Sequence, residues 1–227
     1  MRRRLRGAIG VLALGALAAC SSGSSSGKAV TPNSRVATPN ANGCLPAPKL
    51  VSKMAQFPAA PALQIDRTTY TARIVTNCGT IIVSLDGKHA PQTVNSFAFL
   101  AKSSFFNDTP CHRLTTSGIY VLQCGDPSGS GSGGPGYTIP DENLAHATYP
   151  AGTLAMANTG SPHTGGSQFF IVYRDSTSGL SPLYTPFGHI TSGLDVLKKI
   201  AAAGSKPPGD GAPVQPVAIE SVGVTKG

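Results

Sequence analysis

The chain has 227 residues, 40% of them hydrophobic and 12% charged, with a formal net charge of +8. The surplus is uneven: Arg2, Arg3, Arg4 and Arg6 open the chain, residues 20–65 hold four basic and no acidic groups, and residues 66–227 hold ten of each. A neutral folded part without a basic cluster excludes a nucleic-acid surface, which needs a basic face. The length is too short for a two-lobed solute binder.

The basic start leads into an apolar run from Ala8 to Ala19 that ends at Cys20. This is the layout of a secretory signal, and the run is too short to span a bilayer as an ordinary helix. Leu17-Ala18-Ala19-Cys20 resembles a bacterial lipobox, in which the cysteine is acylated and becomes the first mature residue. The expectation is a signal peptide over 1–19 and a lipid-anchored protein on the outer side of a bacterial cell membrane. Residues 20–65 carry Lys28, Arg35, Lys49 and Lys53 in a Ser-, Gly- and Pro-rich stretch and read as a flexible basic tether. A single domain over 66–227 follows.

Within that domain the pattern changes at Tyr70. Segments 70–76 and 80–85 read as strands joined by the tight connection Asn77-Cys78-Gly79. Pro91 opens a helical stretch with Val94, Phe97, Ala98 and Ala101 on one face. Segments 112–115 and 119–123 read as strands, and 125–137 as a long glycine-rich loop. Strands follow at 152–157, 168–173 and 187–190, then a helix at 194–203 ending at Gly204, and a closing strand over 216–224. Many strands and two helices predict a mainly β, antiparallel barrel with helical caps.

Common enzyme signatures are missing. Gly131 to Gly136 fits G-x-G-x-x-G in form, but Pro135 lies inside it and no helix follows. There is no Walker sequence, H-E-x-x-H or C-x-x-C. Cys111 and His112 are neighbours on a strand and point to opposite faces, which argues against a Cys–His catalytic pair.

A set of scattered segments stands out instead: Cys111-His112-Arg113, Gln123-Cys124-Gly125-Asp126, Met156-Ala157-Asn158, Gly166-Ser167-Gln168-Phe169-Phe170, and Phe187-Gly188. In order and spacing they resemble the cyclophilins over roughly residues 68–224. The resemblance implies an eight-stranded antiparallel β-barrel capped by two α-helices. It also implies peptidyl-prolyl cis-trans isomerase activity without metal or cofactor, acting as a monomer on X-Pro-containing unfolded or exported chains. Arg113, Gln123 and Phe170 become the candidate catalytic residues. Tyr120, Val121, Ala157, Asn158, Thr159, Gln168, Leu180 and Tyr184 become the candidate substrate-binding residues. His112 reads as structural.

The residue types suit that reaction. Rotation about an X-Pro bond meets a barrier near ~20 kcal/mol because the C–N bond has double-bond character. No bond is broken, so a fixed cation that hydrogen-bonds the nitrogen of the twisted amide is the chemistry required. Such a bond is worth roughly 1.5–3 kcal/mol, or about ten- to a hundredfold in rate. A groove that only holds proline peptides, as a binding module or chaperone, is the alternative.

The sequence also departs from the family. The Arg113–Gln123 interval is about two residues longer, Tyr120 stands where Phe is usual, there is no Trp near the rim, and Tyr184 falls where familiar members have His. Cys44, Cys78, Cys111 and Cys124 form an even set in an exported chain, which suggests disulfides. Of the three connectivities, Cys111–Cys124 with Cys44–Cys78 is expected. Strand parity opposes the first pair unless a bulge lies near Gly125.

Overall fold

The computed structural model describes residues 38–50 and 55–227. The expected signal peptide, the expected lipidation site Cys20 and the expected tether at residues 20–37 and 51–54 lie outside the described residues.

The first hairpin is β1 (Thr69–Thr76) and β2 (Gly79–Asp86), paired in continuous antiparallel register. Its alternation is visible in burial: Ala72, Ile74, Ile81, Val83 and Leu85 are buried between more exposed neighbours. Helix α1 (Pro91–Lys102) places Val94, Phe97 and Leu100 on the core. Its N-terminus is capped from a distance: Gln92 N and Thr93 N donate to the two Glu142 carboxylate oxygens at 3.1 and 2.9 Å. A carboxylate there also meets the positive end of the helix dipole.

The chain then forms β3 (Thr109–Pro110), β4 (Arg113–Thr115), β5 (Val121–Cys124), β6 (Thr153–Met156), β7 (Phe169–Val172) and β8 (Pro186–Ser192). Helix α2 (Leu194–Ala202) buries Leu197 and Ile200. β9 (Ser205–Lys206), β10 (Asp210–Pro213) and β11 (Ala218–Lys226) complete the chain. The sheet order is β3-β11-β1-β2-β8-β6-β7-β5-β4-β10-β9, with every pairing antiparallel.

The strand count is eleven rather than the expected eight. The difference has a simple origin. β3 pairs with β11 while β4 pairs with β5, and only Cys111-His112 separates them. Residues 109–115 therefore act as one bent strand that joins the two ends of an eight-strand curl. The short β9–β10 hairpin, unforeseen in the sequence because Pro and Gly dominate it, adds the remainder against β4.

Inside the curl lies the main core, where Phe97 packs on Phe106, Phe169 and Phe187 at ring-centroid distances of 5.0, 5.4 and 5.5 Å. Outside it a second cluster of Val121, Tyr149, Ala155, Phe170 and Val172 sits under Leu180 and Tyr184. Both faces of β5, β6 and β7 are thus covered, which explains why β6 and β7 are buried at every position.

Residues upstream of the expected domain start at 66 also contact the folded unit. Residues 38–50 and 55–65 are bound to the domain rather than hanging free. Cys44 is 1% exposed and disulfide-bonded to Cys78. Leu45 and Asn77 exchange hydrogen bonds of 2.7 and 2.8 Å. Asn95 accepts from Gln64 N at 3.0 Å and donates to the Ala62 carbonyl at 3.0 Å.

Cys111 is bonded to Cys124. No bulge near Gly125 is needed for it. β5 keeps unbroken register with β7 through Cys124, whereas Cys111 lies in the break between β3 and β4 and escapes strand alternation. Among the described residues no helix is long and apolar enough to cross a membrane.

Candidate active site

Register builds the site. Arg113 pairs with Gln123, Gln123 with Phe170, and Phe170 with Ala155, so four side chains from β4, β5, β7 and β6 form one row on the outer face. Alternation sends Phe169 and Leu122 to the core and Phe170 and Val121 outward.

Arg113, Gln123 and Phe170 of this row floor a groove of ≈ 470 Å³. Arg113, Val121, Gln123, Ala157, Asn158, Phe170, Leu180 and Tyr184 all line it. One end is apolar: Phe170 stands edge-on to Tyr184 with ring centroids 5.4 Å apart. The other end is polar. Arg113 Nη1 donates to Gln123 Oε1 at 3.2 Å, Gln123 Nε2 to Gln168 Oε1 at 2.9 Å, and Gln168 Nε2 to the carbonyls of Gly131 and Gly133, each at 2.9 Å. This relay ties the cation to the glycine-rich loop.

Asp126 organises that loop from a fully buried position. Its carboxylate accepts from Ser128 N and Gly131 N, each at 2.7 Å. Burial alone would raise its pKa, yet hydrogen bonds from Ser128, Gly133 and Gly131 together hold it below the usual value. Gly133 has no room for a side chain, since a Cβ there would sit 2.0 Å from Asp126 Oδ1.

Three expected contacts lie outside this groove. Tyr120 is not in the groove. Its backbone precedes Val121 by one residue, so its ring falls on the opposite side, edge-on to Tyr173 at 6.0 Å and under the Arg174 guanidinium at 4.4 Å. Ile119 takes the groove position instead. Thr159 and Gln168 line a neighbouring groove of ≈ 690 Å³, which shares Gln123, Gly131, Ala157 and Asn158 with the first. The Asn158 side chain is occupied within the protein, donating to the Leu183 carbonyl at 2.8 Å and accepting from Gly160 N at 3.0 Å.

Asp210 and His112 are further wall residues that the sequence did not single out. Asp210 grips Arg113 from β10 with 2.7 Å bonds to both Nε and Nη2. His112, read as structural, also lines the groove, with a buried Nδ1 that has no partner among the described residues. Burial lowers its pKa, Asp126 opposing and Arg113 reinforcing. Among the described residues no cluster of His, Cys, Asp and Glu could hold a metal ion.

Residues 71–224 match the family described as cyclophilin type peptidyl-prolyl cis-trans isomerase/CLD. The chain belongs to the cyclophilin family. The probable peptidyl-prolyl cis-trans isomerase B of Mycobacterium tuberculosis is 46% identical over 192 residues, covering 78% of this chain and 61% of that protein. Its Mycobacterium leprae counterpart is also 46% identical and is covered to 64%. This cyclophilin thus spans under two thirds of the length of its mycobacterial relatives. A Helicobacter pylori peptidyl-prolyl cis-trans isomerase is 43% identical over 141 residues, 60% of this chain and 83% of that one.

Among solved structures, a cyclophilin type isomerase of Cryptosporidium parvum superposes with a TM-score of 0.62 at 26% identity, covering 70% of this chain and 99% of that one. The same protein in the presence of the dipeptide Ala-Pro gives 0.61 at 27% identity, covering 69% and 99%.

Proposed function

We propose that this cyclophilin catalyses cis–trans isomerisation of X-Pro bonds in exported, incompletely folded polypeptides. The observation that carries the reading is the single cross-strand row that sets the Arg113 guanidinium beside the apolar Phe170 pocket.

In this reading the proline ring rests on Phe170, Val121, Leu180 and Ile119. Arg113 lies where its free N–H can meet the prolyl nitrogen as the amide twists and the nitrogen regains its lone pair. A donor already held in place loses little by reorganising as the bond turns. Gln123 keeps Arg113 aimed and offers a donor to the carbonyl before proline. The backbone of Ala157 and Asn158 grips the flanking peptide, so that only the X-Pro bond is free to turn. Thr159 and Gln168 contact the peptide farther along. The chemistry needs neither metal nor cofactor, and one chain contains the whole site, which favours a monomer.

We place the enzyme at the outer side of the bacterial cell membrane, held by lipid on Cys20. Two disulfides, Cys44–Cys78 and Cys111–Cys124, favour an oxidising compartment. An acyl-cysteine with more than one chain would give stable anchoring. Cys20→Ser should then release the protein from membranes.

The deciding experiment is NMR exchange spectroscopy on an X-Pro peptide with wild type and Arg113→Ala. Wild type should accelerate exchange, and the variant should lose at least about tenfold. Binding without acceleration would reduce the protein to a proline-peptide module. Equal rates in both would remove Arg113 from the mechanism.

A further inference from the structure

The matched family region begins at residue 71, yet the second groove has a wall that comes from before it. Gln56 Nε2 donates to the Gly134 carbonyl at 2.9 Å, and Phe57 N donates to the Pro135 carbonyl at 2.8 Å. The Phe57 ring anchors this arm, edge-on to Phe99 at 4.9 Å and 6.5 Å from Tyr137. Gly136, at φ +93°, permits the approach: a Cβ there would lie 2.8 Å from Phe57 O and 2.9 Å from Gln56 Oε1.

The arm therefore touches the outer side of the same glycine-rich loop whose Gly131 and Gly133 carbonyls hold Gln168 on its inner side. Every residue lining this groove is uncharged. Gln56, Gln123, Thr159 and Gln168 give it amide and hydroxyl groups instead. A charged side chain entering it would shed water and find no opposite charge.

We propose that Gln56 is a specificity-determining residue: with the loop it pins, it makes the second groove a subsite for a neutral, hydrogen-bonding side chain of the bound peptide. A peptide whose proline lies against Phe170 reaches this groove past Ala157 and Asn158, which line both cavities. The inference rests on the isomerase reading for its occupant, but its selectivity is set by a segment outside the family region.

The test uses the full chain and three X-Pro peptides that differ at one position before proline, carrying Gln, Lys or Glu. Exchange spectroscopy gives kcat/KM for each. Wild type should favour the Gln peptide over both charged ones by about fivefold or more. Gln56→Glu should raise the Lys-to-Glu ratio and Gln56→Lys should lower it, each by at least about threefold. Opposite movements in two variants of one residue cannot come from a general loss of folding. Ratios within about twofold of wild type in both variants would overturn the proposal. If wild type binds these peptides without accelerating exchange, the isomerase reading fails while Kd ratios for the same peptides still decide the subsite.

Discussion

Asp210 holds Arg113 by the edge: two parallel 2.7 Å hydrogen bonds engage Nε and Nη2 and leave Nη1 to Gln123. The guanidinium is thereby oriented from both sides. The Arg113 side chain is 38% exposed and that of Asp210 56%, so solvent screens the pair, and a pair of this kind is worth at most ~1 kcal/mol.

Asp210 is accordingly expected to act as a positioning residue with a modest effect. Asp210→Asn should lower kcat about two- to fivefold with little change in KM, and Asp210→Glu should recover part of it. The Arg113 hydrogen bond holds the Asp210 carboxyl below its ordinary value. A depressed carboxyl keeps its contribution above the ordinary carboxylate range and loses it only as pH falls through the lower folded value. The pair should therefore give no inflection in kcat between about pH 5 and 8, and a step there that vanished in Asp210→Asn would contradict this assignment.

Phe169 and Phe170 are adjacent but belong to different worlds. Phe169 is 0% exposed in the main core, and Phe170 is 4% exposed in the outer cluster that floors the groove. Phe169→Leu should lower the melting temperature, with kcat/KM per folded molecule nearly unchanged. Phe170→Leu should lose roughly tenfold or more in kcat/KM for a smaller loss of stability. Full truncation to Ala would remove about 3–5 kcal/mol at either site, which is why the milder variant separates the roles. Calorimetry beside exchange spectroscopy distinguishes the two.

The disulfides differ in what they close. Cys44–Cys78 spans 34 residues and Cys111–Cys124 spans 13. In the chain-entropy account they restrict the unfolded chain by about 4 and about 3 kcal/mol. Replacing either pair with Ser should lower stability in denaturant titrations by amounts of that order. Only the Cys111–Cys124 replacement should also reduce kcat, because it loosens the bent strand that carries Arg113. Equal activity of the two variants would show that β4 and β5 keep register without the bond.

His112 predicts a pH dependence of stability. Burial holds its imidazole below the ordinary histidine value, against the pull of Asp126 and with the push of Arg113. Between the folded value and the ordinary one, the unfolded chain binds a proton that the native state refuses. Stability should therefore fall as pH is lowered through that window and level off below it. His112→Gln should flatten the slope of melting temperature against pH in that range.

Much of the site was legible as sequence because strand alternation is local. Once 168–173 is a strand, Phe169 and Phe170 must part. The same rule excludes Tyr120 from the face of Val121, although the resemblance assigned both to the pocket, and Ile119 lines the groove instead. Parity was also the right objection to Cys111–Cys124, and it failed only because the strand bends at Cys111-His112.

By itself, then, the sequence determined the main strands in chain order, the faces they present, and the residue types they carry. Tertiary structure alone decided what closes around that row. Asp210 reaches Arg113 across a separation of 97 residues, and Gln56 reaches Gly134 across 78. Neither contact has a periodic signature. Each depends on where a Pro- and Gly-rich segment lies after the sheet has curled, and packing of the whole domain, not local propensity, sets that path.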